Sequence, residues 1–224
     1  INASKNKKIK KLVYAASASC YGLPKKFPTD ENSKIDTRYP YALTKYLGEK
    51  LVLDWSKIYK ANNVSLRFFN VYGPKSRTTG AYGAVFGVFL AQKLFNKPLT
   101  IVGDGKQTRD FVHVYDLVSG LIQAAKKGKP GEIYNIGSGK EVSVNYIAKL
   151  IAGKKIFIPK RPGEPERSLA CIKKIKKNLK WKPKISIEKG INELLRNKEH
   201  WLDAPVWTEK KIQLATKEWF KNLK

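Results

Sequence analysis

The chain has 224 residues, 42% of them hydrophobic, and a formal net charge of +27. That length suits one large domain or one and a half small ones, the apolar content supports a packed core rather than disorder, and no apolar run approaches the roughly 18 residues of a membrane helix. The positive charge is scattered lysine with only seven arginines, and base-reading surfaces favour arginine, so the charge implies a solvated surface attractive to small anions rather than a specific nucleic-acid reader.

The opening stretch INASKNKKIKK lacks the apolar run of a secretory signal, and the chain contains no methionine. Both features suggest a segment of something longer. Two cysteines, Cys20 and Cys171, and two histidines, His113 and His200, are too dispersed for a disulfide framework or a metal site. A reducing cytoplasm is the compartment this suggests, and no metal is expected.

In chain order, KKLVYAAS (10–17) reads as a buried parallel strand. PYALTKYLGEKLVLDWSKIYKANN (40–63) reads as a helix, with Pro40 at its start, Asn62-Asn63 at its end, and an apolar face of Leu43, Leu47, Leu51, Trp55 and Ile58. VSLRFFNVYG (64–73) is a second strand, stopped by Gly73-Pro74. Strand, helix and strand at this spacing define a βαβ crossover and a parallel sheet. Further on, the pattern predicts helices over 83–97, 114–128 and 142–153 and strands at LTIVGDG (99–105) and EIYNIGSG (132–139). A last helix is capped by Thr208, with Ile212, Ala215, Trp219 and Leu223 on one face.

Tyr41 and Lys45 are four residues apart at the start of the first helix, so they project from one face. A phenol is a poor base at neutral pH, with an unperturbed pKa of about 10. A nearby ammonium and a helix N-terminus both favour the phenolate. The pair is therefore a physical recipe for removing a proton from a sugar or alcohol hydroxyl. The alternative, a surface i,i+4 pair, stays open on spacing alone. Upstream, VYAASASCYG (13–22) ends a parallel strand in hydroxyl residues, and ligands in open α/β sheets bind at such carboxyl ends.

These segments, together with LRFFNVYGP (66–74), IVGDGKQTRDFVHVYD (101–116), YNIGSGKEVSV, KRPGEPERSLA and LKWKPKISIEKGI (179–191), follow one another in a fixed order. In that order the chain resembles the extended short-chain dehydrogenase/reductases, the nucleotide-sugar epimerases and dehydratases, from about residue 10 to 195. The resemblance implies an α/β fold: the C-terminal half of a Rossmann-type parallel-sheet domain plus a smaller α/β substrate-binding domain. Residues 1–73 would be the second half of an NAD-binding domain and 74–195 the substrate domain, with 108–128 returning to the Rossmann part. Residues 196–224 would be a helical extension.

By the same resemblance Tyr41 is the general base, Lys45 its partner and a hold on the nicotinamide ribose, and Ser17 a contact of the substrate hydroxyl. Phe69 would lie beside the nicotinamide. Asn70, Arg109 and Arg161 would meet the sugar nucleotide's phosphates, Thr100 and Val102 its base, and Glu164 a ribose hydroxyl. Ser19 and Val85 complete the substrate contacts. Glu164 and Cys171 both stand where the family has Asp. The family's glycine-rich G-x-x-G-x-x-G turn is missing, which implies that on the order of 100 residues of the dinucleotide fold precede this segment and that the segment alone is inactive.

The family oxidises a nucleotide sugar at C4, with NAD as acceptor. Its dehydratases and decarboxylases carry a carboxylate just after the active-site Ser or Thr, whereas this chain reads Ser17-Ala18-Ser19. C4 epimerisation of a UDP-sugar of the glucose/galactose type is therefore expected, in a homodimer with no membrane partner. The alternatives are a 4,6-dehydratase, decarboxylase or reductase of the same family, or a non-catalytic basic protein that binds nucleic acid.

Overall fold

The apolar run between the N-terminal lysines and the serine turn forms strand β1 (Leu12–Ser17) in the computed structural model, which describes residues 9–76, 78 and 85–222. A 3-10 turn, Ala18–Tyr21, follows at once, and the Ser17 Oγ caps it by accepting from the Ser19 amide at 3.2 Å. Helix α1 (Pro40–Ile58) starts on its proline, whose missing N–H costs nothing in a first turn, and ends at Ile58, short of Asn62-Asn63. Strand β2 (Asn63–Phe68) runs parallel to β1, with Leu12 opposite Asn63 and Ser17 opposite Phe68.

The remaining strands are β3 (Asn70–Tyr72), β4 (Leu99–Val102), β5 (Thr108–Arg109), β6 (Phe111–His113), β7 (Ile133–Ile136), β8 (Val142–Ser143) and β9 (Lys155–Ile158). The remaining helices are α2 (Val85–Leu94), α3 (Val114–Lys127), α4 (Val144–Ile151), α5 (Lys173–Leu179), α6 (Ile187–Arg196) and α7 (Glu209–Asn222). Among the described residues, no helix is long and apolar enough to cross a membrane.

The chain forms two units. The first comprises residues 1–71, 110–140 and 168–184. It is built on the parallel sheet β1-β2-β7, and Leu66 and Tyr134 of neighbouring strands are both fully buried. Residues 129–140 and 168–184 fall here, whereas the sequence reading places them with the second domain. The reason is strand pairing: β7 completes the sheet beside β2, and Ile175, Leu179 and Trp181 close over the same core as Leu66 and Ile136.

Helix α1 corrects the sequence reading in an instructive way. Leu43, Leu47, Leu51 and Ile58 are its exposed side, and its buried residues are Ala42, Glu49, Val52, Leu53 and Ser56. The sheet-facing side is small and partly polar because the helix lies close to β1: a Cβ on Gly48 would come within 2.1 Å of the Tyr14 hydroxyl. Glu49 is tolerated there because Arg67 of β2 neutralises it. Its guanidinium donates to both carboxylate oxygens, Nη2 at 2.6 Å and Nε at 3.0 and 3.2 Å, and Ser65 adds a bond at 2.9 Å. Arg67 also donates to the Tyr21 hydroxyl at 2.9 Å, and that hydroxyl in turn donates to Asn135 at 2.7 Å.

The second unit comprises residues 72–109, 141–167 and 185–224. Strands β4 and β9 pair in parallel, and β5 pairs antiparallel with β8. Phe86 and Phe89 of α2, Leu99 and Ile101 of β4, and Ile147 and Ile151 of α4 are fully or almost fully buried. Helix α7 buries Ile212 and Thr216 and exposes Ala215. The Trp219 side chain and Leu223, which the sequence puts on the same face, lie outside the described residues.

Candidate active site

In the first unit, the carboxyl end of β1 and the first turns of α1 come together. The Lys45 ammonium donates to the Ala15 carbonyl at 2.6 Å, two residues before Ser17, and stands 5.5 Å from the centroid of the Tyr14 ring. Tyr41, one turn earlier on the helix, is 55% exposed. It lies near enough to Tyr14 to contribute to raising that phenol's pKa, after burial and the Glu49 charge. Ser17 is buried at the strand end as the cap of the 3-10 turn, and the Ser19 Oγ is buried without a hydrogen-bond partner among the described residues.

Two further predicted residues follow β2. Phe69 is buried, its ring centroid 6.4 Å from that of Tyr21. Asn70 is exposed, and its amide donates to the Asp110 carbonyl at 3.1 Å.

In the second unit, Val102, Arg109 and Glu164 line one cavity of about 410 Å³. Glu164 bridges two cations there. Its Oε1 accepts from Arg161 Nη1 at 3.0 Å, and its Oε2 lies 3.8 Å from Arg109 Nη2. Arg109 is also steadied by donating to the Thr108 carbonyl at 2.9 Å. Thr100 is buried; its hydroxyl accepts from the Gln92 side chain at 2.8 Å and its amide donates to the same side chain at 3.1 Å. Val85 opens α2, half-buried, and is not part of the lining.

Sequence reasoning passed over Gln107 and Lys160, which also line the cavity. Gln107 donates to the Val102 carbonyl at 2.8 Å and so fixes the end of β4, and Lys160 pairs with Glu166. The signal for Gln107 was its place in GDGKQTRD, two residues from Arg109.

Chemically, the first site offers an exposed phenol, an ammonium and a strand-end serine. The second brings the guanidinium groups of Arg109 and Arg161 onto the Glu164 carboxylate, beside a cavity that Lys160, Asp104 and Glu166 also line; a guanidinium fork matches an anion with oxygens at fork spacing.

The description of the NAD dependent epimerase/dehydratase family matches residues 1–137, and the chain belongs to that family. It is 32% identical over 200 residues to UDP-glucose 4-epimerase of Mycolicibacterium smegmatis, covering 85% of this chain and 64% of that protein. It is 34% identical over 214 residues to UDP-glucuronate 4-epimerase of Thermodesulfobacterium geofontis, covering 92% of this chain and 61% of that one. Among solved structures, UDP-glucuronic acid 4-epimerase from Bacillus cereus, in complex with UDP-glucuronic acid and NAD, superposes with a TM-score of 0.81 at 33% identity, covering 88% of this chain and 64% of that one. UDP-glucose 4-epimerase from Thermotoga maritima, with UDP-glucose, gives 0.83 at 30%, covering 90% and 67%. The fold is accordingly α/β of the Rossmann-type epimerases. The chain spans 61–62% of the length of several curated relatives that it matches.

Proposed function

We propose that the protein carrying this chain is an NAD-dependent epimerase that inverts C4 of a UDP-linked sugar. The observation that carries the reading is the cluster at the end of β1: Tyr41 exposed on the first turn of α1, with Lys45 tied at 2.6 Å to the Ala15 carbonyl. Several relatives over most of this chain are named as 4-epimerases of UDP-sugars, which supports the same reading.

The residues present fit the nicotinamide end of NAD. An exposed phenol, a cation held at the strand end and the buried, unpartnered Ser19 Oγ leave polar groups for a ribose and a sugar hydroxyl. When bound, NAD supplies reversible hydride removal at the sugar carbon. Tyr41 Oη takes the proton from the C4 hydroxyl and returns it, Lys45 supplies a fixed positive charge one turn further along the helix, and Ser17 holds the hydroxyl in line. Phe69 would flank the nicotinamide. Arg109 and Arg161 take the diphosphate, Asn70 adds a contact to it, and Glu164 takes a ribose hydroxyl. With Ser17-Ala18-Ser19 at the strand end, no carboxylate follows Ser17 to move protons at C5. That favours plain inversion over dehydration.

We further place the protein in a reducing cytoplasm, which suits its free Cys20 and Cys171. We assign it as a homodimer through the exposed apolar stripes of α1 (Leu43, Leu47, Leu51) and α3 (Tyr115, Val118, Ile122). The test is to incubate full-length protein with UDP-glucose, UDP-N-acetylglucosamine and UDP-glucuronate and follow the sugars by NMR and mass. A galacto-configured product of unchanged mass is expected, and Tyr41→Phe should abolish it while NAD stays bound. A product lighter by water or carbon dioxide would overturn the epimerase reading.

A further inference from the structure

Tyr14 meets Lys45 at both ends of the lysine. Its hydroxyl donates to the Lys45 backbone carbonyl at 3.4 Å, and the Lys45 ammonium stands over its ring, 5.5 Å from the centroid. The ammonium donates to the carbonyl of the next strand residue, Ala15, at 2.6 Å. Both contacts depend on how close α1 lies to β1. A Cβ on Gly48 would come within 2.1 Å of the Tyr14 hydroxyl, so a glycine there lets the helix settle on that ring.

We infer that Tyr14 is a positioning residue: the face of its ring, together with the Ala15 carbonyl, holds the Lys45 ammonium in its place one turn from Tyr41. The inference rests on the proposed roles of Tyr41 and Lys45. A lysine head is a point charge on a flexible four-carbon stem, and one bond to a carbonyl leaves it free to pivot. A ring face adds a second restraint, because its quadrupole attracts a cation within about 6 Å of the centroid. Tyr14 is half-buried, and burial, the Glu49 charge and Tyr41, in that order, raise its pKa, so the ring stays a neutral phenol at neutral pH. The hydroxyl contributes less than the ring, since 3.4 Å is long for an O–H donor. Tyr14 thus acts through the lysine and not on the substrate.

The test uses the full-length protein with Tyr14→Leu, which keeps apolar bulk but removes the ring, and Tyr14→Phe, which keeps the ring. For the UDP-sugar that the protein inverts, kcat should fall about fivefold to tenfold in Tyr14→Leu, the loss expected from one cation–π contact, with KM little changed. Tyr14→Phe should stay near the parent. In a Lys45→Met background, Tyr14→Leu should lower kcat no further, because the group it positions is gone. A readout independent of turnover is the NMR signal of the Lys45 ε-methylene in protein carrying carbon-13 at the lysine Cε atoms, identified by its absence from Lys45→Met. The Tyr14 ring current should hold that signal upfield in the parent and in Tyr14→Phe, and Tyr14→Leu should release it. A Lys45 signal unmoved by Tyr14→Leu, losses in kcat that multiply with those of Lys45→Met, or equal losses in the phenylalanine and leucine variants would each overturn the positioning role. Parent-like turnover in Lys45→Met would instead bring down the catalytic reading of Lys45, and this inference with it.

Discussion

The Lys45 ammonium donates to the Ala15 carbonyl at 2.6 Å, and this one bond ties helix α1 to the carboxyl end of β1 two residues before Ser17. A lysine so fixed is a cation at a defined place near Tyr41 rather than a solvated surface charge. Lys45→Met keeps the length and apolar stem of the side chain but removes the charge and the donor. Turnover should fall by about a hundredfold or more, the lower range for loss of an acid–base group's support. The loss should sit mainly in kcat, and circular dichroism should show an unchanged fold. Turnover within a few-fold of the parent would mean that Lys45 is only a helix anchor.

The same helix is held from its other side by a buried ion pair. Glu49 and Arg67 side chains are 2% and 3% exposed, and the pair is joined by Ser65 and Tyr21. Glu49→Gln leaves the Arg67 charge without its counter-charge in the interior, which should cost about 3–5 kcal/mol in the unfolding free energy. The double variant Glu49→Gln with Arg67→Met should be clearly less destabilised than the sum of the single changes, because it removes the orphaned charge. Urea unfolding of all four proteins measures this, and additive losses would show that the pair is not coupled.

How far these relationships were legible in the sequence differs by residue. β1, α1 and the crossover to β2 followed from apolar runs and Pro40, whereas the single strand expected to run on to Gly73-Pro74 breaks at Phe69 into β2 and β3, which belong to different sheets. The i,i+4 spacing was enough to put Tyr41 and Lys45 on one face. The spacing could not tell which apolar face of α1 meets the sheet. Leu47 and Leu51 make the stronger periodic signal, yet a close approach at Gly48 requires small residues against Tyr14. Glu49 can occupy a core position because Arg67, 18 residues away on β2, supplies its partner, a pairing that no local spacing announces. Strand β9, with alternating exposed and buried residues and flanking lysines, had no signal strong enough to stand out from a loop. The polar side chain that claims Thr100, Gln92, lies inside a helix that reads as apolar.

Cys20 makes stability depend on pH. Burial, the largest influence, raises its thiol from the ordinary 9.0 to about 11, opposed by the Arg67 charge. The folded state therefore keeps its proton where the unfolded chain loses it. The contribution is fully present below pH 9 and is lost as pH rises to about 11, of order 3 kcal/mol in all. Cys20→Ala gives up some packing at every pH but lacks this slope. Its unfolding free energy should approach that of the parent between pH 9 and 11, as chemical denaturation at stepped pH would show. Parallel curves for the two proteins would mean that the thiol is not protected from ionisation in the folded state.

The exposed stripes on α1 and α3 lead to the last expectation. Leu47 and Leu51 are 56% and 57% exposed, and Tyr115 on α3 is also 57% exposed. A row of leucines at helical spacing is costly to leave in water, at about 25 cal/mol for each Å² of apolar surface. It is the kind of surface that a second copy of the chain covers. Leu47→Glu with Leu51→Lys should leave the fold intact, since neither side chain belongs to the buried side of α1. The same change should convert the dimer to a monomer in sedimentation at micromolar concentration. Because Tyr41 and Lys45 share this helix, the monomer should also lose part of its turnover while binding UDP as before. A parent that sediments as a monomer would refute the assignment, and a dimer that survives both substitutions would move the interface elsewhere.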